Sequence, residues 1–99
     1  MDDLERLCIL RDVLNESRLS TAISLGKLAN QVESLIASID DVPNDLRQAF
    51  AALWAGLEVV GVQHQEAGTE PTAAELADLR AMADRLRRET DAEIGARGS

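Results

Sequence analysis

The chain has 99 residues, 45% of them hydrophobic, and a formal net charge of −8. That length suits one domain with one modest core, and the apolar content is too high for a chain disordered throughout. No apolar run approaches the roughly 18 residues of a membrane span, and a single cysteine, Cys8, excludes an intramolecular disulfide and a thiolate metal cluster.

The charge is uneven. Residues 1–30 carry a net −1, residues 31–78 carry nine acids against Arg47 alone, and residues 79–99 carry +1. An acidic middle opposes nucleic-acid binding, which draws on neutralised phosphates, and favours a basic protein partner. The start of the chain lacks the basic segment, apolar run and cleavage site of a secretory leader, so a cytoplasmic protein without membrane association is the expectation.

In chain order, the first helix is expected over residues 3–16. Asp2 and Asp3 stand at its start, where acids complement the helix dipole. Leu4, Leu7, Cys8, Arg11 and Leu14 share one face, widened by Leu10 and Val13. Cys8 reads as a small buried apolar residue.

Ser20, Thr21 and Ser24 compete to cap the second helix, with Ser24 preferred. Leu25, Leu28, Ala29, Val32, Leu35, Ile36 and Ile39 then recur at helical spacing. Gly26 either admits a neighbouring helix or is tolerated near an end. Asp40 and Asp41 close this helix.

Pro43 suits a first helical position, leaving Val42 or Asn44 as the cap of a long third helix over residues 44–66. Leu46, Phe50, Leu53, Leu57 and Val60 form its apolar stripe, with Trp54 beside it. Gly61 marks a kink, a close crossing or the helix end, and Gly68 suits a left-handed C-terminal cap. Thr72 and Glu75 form a capping box that opens the fourth helix. That helix carries Leu76, Leu79, Ala83, Leu86 and Ile94, with Met82 beside the face. Arg80, Arg85, Arg87 and Arg88 lie on its outer surface, and Asp84 is paired with Arg88 at i,i+4.

Four amphipathic segments with short joins predict an all-α fold, a small antiparallel helical bundle of about four helices. A three-helix core with the first helix laid across it is the alternative. The bundle is expected to occupy residues 1–94, with 95–99 as a flexible tail.

No catalytic constellation stands out, so an enzyme is not expected. His64 is the sole histidine and falls at the wet end of the third helix's seam. No Glu-x-x-His pair, calcium loop or phosphate-binding loop is present, and no metal or cofactor is implied. The arginines of the fourth helix alternate with Asp84, Glu89 and Asp91, which makes them a solvated face.

Interaction chemistry remains. Trp54 and Glu58 are one turn apart and share a helix face, an aromatic anchor beside a carboxylate for a partner's Arg or Lys. Asp40, Asp41 and Asp45 gather where the second and third helices join. Glu66, Glu70 and Glu75 gather at the next join, which an antiparallel bundle places at the opposite end.

The stretch SLGKLANQVESLIASIDDVPNDLRQAFAALWAGLE, under half of the chain, resembles small acidic helical immunity proteins encoded beside bacterial toxins. These include the colicin-immunity and contact-dependent-inhibition groups. The resemblance lies in the Ser24–Leu25 start, the Leu/Ile run to Ile39, the Asp40–Asp41 break and the Phe50…Trp54…Glu58 line. It implies a bacterial immunity or antitoxin factor that binds a basic toxin domain, such as a nuclease, and covers its active site. Asp40, Asp41, Asp45, Trp54 and Glu58 would contact the partner. The alternative is a small structural or regulatory adaptor, as a homodimer through the wide face of the first helix.

Overall fold

Among the described residues, four helices account for most of the structure: α1 (Asp3–Glu16), α2 (Ala22–Ser38), α3 (Asn44–Ala67) and α4 (Ala73–Gly98). The computed structural model describes residues 2–17 and 19–98. Each helix packs on its sequence neighbours, and α4 closes the ring by packing on α1. α1 and α3 face each other across one diagonal, and α2 and α4 across the other. Consecutive helices run antiparallel, so α1 takes a full place in an up-down-up-down bundle rather than lying across three others.

The helix starts follow local chemistry. Asp2 caps α1 by accepting the Glu5 N–H at 2.8 Å. Thr21, not Ser24, caps α2. Its hydroxyl accepts the Ser24 N–H at 3.0 Å, while the Ser24 hydroxyl oxygen accepts the Thr21 N–H at 3.0 Å. Ser24 thus serves the same box from its third position, which places Gly26 inside the helix. Pro43 precedes α3 without a side-chain cap. Thr72 and Glu75 form the expected box at α4, with the Thr72 N–H 2.9 Å from Glu75 Oε1 and the Glu75 N–H 3.2 Å from Thr72 Oγ1. Gly68 ends α3 in the left-handed region, at φ 69°, where a Cβ would be strained. The helix α4 continues past Ile94 to Gly98, and Ser99 lies outside the described residues.

The core is a leucine column. α1 supplies Leu7, Leu10 and Leu14; α2 supplies Leu25, Leu28, Ala29 and Val32; α4 supplies Leu79, Ala83 and Leu86. α3 inserts Leu46, Ala49, Leu53, Leu57 and Gly61, while Phe50 and Val60 pack at the edge of the core. The buried line therefore runs slightly to one side of the stripe expected from side-chain size. Ala49 and Gly61 are small enough to sit where helices approach closely. Each fully buried leucine contributes about 1.5–3 kcal/mol over an exposed one. Thr90 is also fully buried, its hydroxyl donating to the Leu86 carbonyl at 2.7 Å. Among the described residues no buried side-chain polar atom lacks a partner. Cys8 is a half-buried free thiol.

Candidate functional site

The residues singled out in the sequence fall into two groups that do not share a surface. Asp40 and Asp41 sit in the α2–α3 turn with exposed side chains. Their main chain is held from α1: Asp3 Oδ1 accepts the Asp40 N–H at 3.2 Å, and Asp3 Oδ2 accepts the Asp41 N–H at 3.4 Å. Two cations come to the same corner. Arg6 donates to the Ser38 carbonyl and lies 3.7 Å from Asp3; Arg97 donates to the Asp41 carbonyl and lies 3.3 Å from Asp3. The Asp40 N–H, and then Arg97 and the Asp41 N–H, hold the Asp3 carboxyl below its ordinary value against its partial burial. This end of the bundle is a knot joining α1, α4, the end of α2 and the α2–α3 turn. Its acidity is offset by cations contributed from both ends of the chain.

Trp54 and Glu58 lie along the α2–α3 face. The close α2–α3 approach comes from glycine: a Cβ at Gly61 would stand 3.6 Å from the Ala22 carbonyl oxygen and 3.7 Å from Leu25 Cβ. Trp54 is half-buried against the core and leans toward α2, where its indole N–H donates to Glu33 Oε2 at 3.3 Å. Glu58 is half-buried one turn further along α3. At about 100° per residue, Asp45 lies half a turn around α3 from Trp54. It is exposed on the flank toward α4, the side on which Gly56 backs onto Leu79 and Met82. Asp45 therefore does not join Trp54 and Glu58.

Three large apolar side chains stay exposed on these two helices: Ile23 is 61% exposed, Val59 64% and Val62 45%. The helical period places Ile23 on the outer side of α2, at the end where Gly61 meets Ala22, and Val62 on the outer side of α3 one turn from Glu58. Val59 is about 140° from Trp54 and about 40° from Asp45 around α3, so it lies on the flank toward α4. Glu33 is exposed on α2, with Trp54 as the partly covered aromatic. Glu33 has no motif to mark it. Only the pairing of α2 with α3 brings it to Trp54, twenty-one positions away. Val59 and Val62 belong to the run VVGV, and their departure from the buried stripe was the available signal.

His64 bridges the α3–α4 turn. Its Nδ1 lies 2.7 Å from Thr69 Oγ1 and its Nε2 lies 2.7 Å from Glu75 Oε1. Hydroxyl, imidazole and carboxylate stand in a row, the order of a nucleophilic relay. Glu75 Oε1, however, also accepts the Thr72 N–H. The arrangement clamps the turn. The Thr72 N–H, and then His64, hold the Glu75 carboxyl below its ordinary value. Glu66 and Glu70 are exposed at this end.

On α4, Arg87 rather than Arg88 is the partner of Asp84, at 3.9 Å, and it also reaches Asp91 at 3.5 Å. Arg80, Arg85 and Arg88 are exposed. Among the described residues no three or more His, Cys, Asp or Glu side chains are grouped to share a metal ion, and no helix is long and apolar enough to cross a membrane. Comparison with known proteins gave no matching family model, no matching curated protein and no matching solved structure.

Proposed function

We propose that the protein is a non-enzymatic binding protein whose α2–α3 face covers a basic surface on another protein. The observation that carries this reading is the Trp54 indole N–H donating to Glu33 at 3.3 Å, with half-buried Glu58 one turn along α3 and exposed Val62 one turn beyond it. An aromatic anchor with apolar neighbours and carboxylates is the composition that pairs with an Arg- or Lys-bearing patch. The excess of nine acids over one base in residues 31–78 would steer such a partner at low salt. Stoichiometric occlusion of a cationic toxin domain, as by a bacterial immunity or antitoxin factor in the cytoplasm, is the specific form of this reading. The exposed Asp40, Asp41 and Asp45 side chains then act by long-range attraction rather than as part of the contact.

The test begins with capture of the tagged chain's partner at low and moderate salt, followed by binding measurements on the purified pair. The double variant Glu33→Lys with Glu58→Lys should weaken affinity by at least tenfold, chiefly through faster dissociation. Asp40→Lys with Asp45→Lys should slow association and leave dissociation nearly unchanged. Recovery of no basic partner, or unchanged affinity in the Glu33–Glu58 variant, would sink the assignment.

A further inference from the structure

The Thr69 hydroxyl, the His64 ring and the Glu75 carboxylate meet in the α3–α4 turn. Thr69 is exposed, while the His64 and Glu75 side chains are 12% and 30% exposed. Thr69 is thus open to a reagent from solvent, and the two groups behind it are partly sheltered. The turn itself holds them in register. The Thr69 N–H donates to the His64 carbonyl at 3.0 Å, and the Thr72 N–H fixes Glu75 Oε1 at 2.9 Å.

The partners decide where the ring hydrogen sits. An ionised carboxylate only accepts, so the 2.7 Å contact with Glu75 Oε1 puts the hydrogen on Nε2. A neutral ring then keeps its lone pair on Nδ1, and the Thr69 hydroxyl donates to it across 2.7 Å. In this arrangement an imidazole can take a hydroxyl proton during attack, while a carboxylate balances the charge that develops on the ring. The contacts that clamp the turn also hold the three groups in place before a reagent arrives. We propose that Thr69 is an activated nucleophile that accepts an acyl group from a neutral activated ester, with His64 as its base and Glu75 as the positioning residue.

The step balances without a redox partner. Thr69 Oγ1 bonds to the ester carbonyl carbon as its proton passes to His64 Nδ1. The tetrahedral adduct then breaks the bond to the leaving oxygen, which departs as an alcohol carrying that proton. The products are an ester on Thr69 and one free alcohol. Glu66 and Glu70 are exposed at this end and repel an anionic donor, which selects a neutral one. The assignment does not depend on binding by the α2–α3 face.

Thr72 provides a reference within the same turn. It is exposed like Thr69, but its hydroxyl accepts the Glu75 N–H at 3.2 Å rather than donating to an imidazole. The test treats the full chain with p-nitrophenyl acetate at neutral pH, quenches in acid and maps acetyl groups by tandem mass spectrometry. Lys27 and Cys8 react with such an ester unaided, so only the hydroxyls are compared. Thr69 should be acetylated at least about a hundredfold faster than Thr72, the lower end of what a positioned base contributes. His64→Gln should bring Thr69 down to the Thr72 rate. Glu75→Gln keeps the capping pattern of α4, so it should slow Thr69 at least about tenfold while the Thr72 amide keeps its exchange protection. The ratio of the two hydroxyls is read in the parent chain and needs no variant to fold. Equal rates at Thr69 and Thr72, or a Thr69 rate that His64→Gln leaves unchanged, would overturn the proposal. A parent-like Thr69 rate in Glu75→Gln would overturn the role of Glu75.

Discussion

Arg97 Nη1 lies 3.3 Å from Asp3 Oδ2, joining the last turn of α4 to the first turn of α1 across 94 positions of sequence. Glu93, one turn before Arg97, accepts its Nε–H at 2.7 Å. Glu93 first, and then Asp3, raise the pKa of the guanidinium further above its already high ordinary value. The same Arg97 donates to the Asp41 carbonyl, so one side chain at the end of α4 fastens both α1 and the α2–α3 turn.

Asp3 should make stability depend on acid. Its carboxyl titrates below the ordinary 3.8 in the folded chain. A depressed folded value means that the charged form stabilises the fold above the unfolded value, and that this stabilisation is lost as pH falls through the folded one. Denaturant melts at a series of pH values should show the parent losing stability through and below about 3.8, with Glu75 adding a similar loss from its own ordinary value of 4.5 downward. Asp3→Asn should be less stable at neutral pH and flatter in acid. Equal slopes for parent and variant would remove Asp3 from this role.

Thr72→Ala should destabilise the chain by about 1 kcal/mol, the usual cost of losing a side-chain N-cap. The hydroxyl of Thr72 accepts the Glu75 N–H, and Glu75 in turn orients His64. Chemical denaturation gives the magnitude. A second reading is exchange at the Thr69 and Thr72 amides, which should quicken before global unfolding. Parent-like stability together with parent-like exchange would show that the clamp contributes nothing.

Two glycines should respond differently to alanine. A Cβ at Gly26 meets nothing within 4 Å, so Gly26→Ala should stabilise α2 by about 1 kcal/mol through helix propensity. At Gly56 a Cβ would stand 2.9 Å from Leu79 Cδ2 and 3.2 Å from Met82 Sδ. Leu79 is fully buried and has little room to yield, and overpacking of this kind costs about 1–3 kcal/mol. Gly56→Ala should therefore melt below Gly26→Ala, and equal melting temperatures would contradict the packing argument.

Leu53 and Val59 separate core from surface within one helix. Leu53→Ala should cost about 2–5 kcal/mol, because the side chain is fully buried at the centre of the ring. Val59→Ser should change stability by about 0.5 kcal/mol or less, since most of that side chain is in water. If binding uses the α2–α3 face, Val62→Ser should weaken it while the fold persists. A large stability loss at Val59 would mean that this residue supports the bundle.

The sequence by itself determined what is local. The recurrence of Leu, Ala, Val and Ile at helical spacing, the Thr72–Glu75 box, the Gly68 stop and the break at Asp40–Pro43 specify four helices and their order. Each depends on residues within a turn or two of one another. Ser24 shows the limit of such reading, because Thr21 and Ser24 both have capping chemistry and only the backbone geometry decides which stands outside the helix. Tertiary structure decided everything that depends on which helices are neighbours. Closing the ring brings Arg97 and Arg6 to the Asp40–Asp41 turn and offsets an acidity that counting along the segment made look uniform. Pairing α2 with α3 sets Glu33 against Trp54, while half a turn of helix carries Asp45 to the other flank. A helical stripe announces that a face will be buried, but long-range side-chain pairing follows from the packing of all four stripes at once.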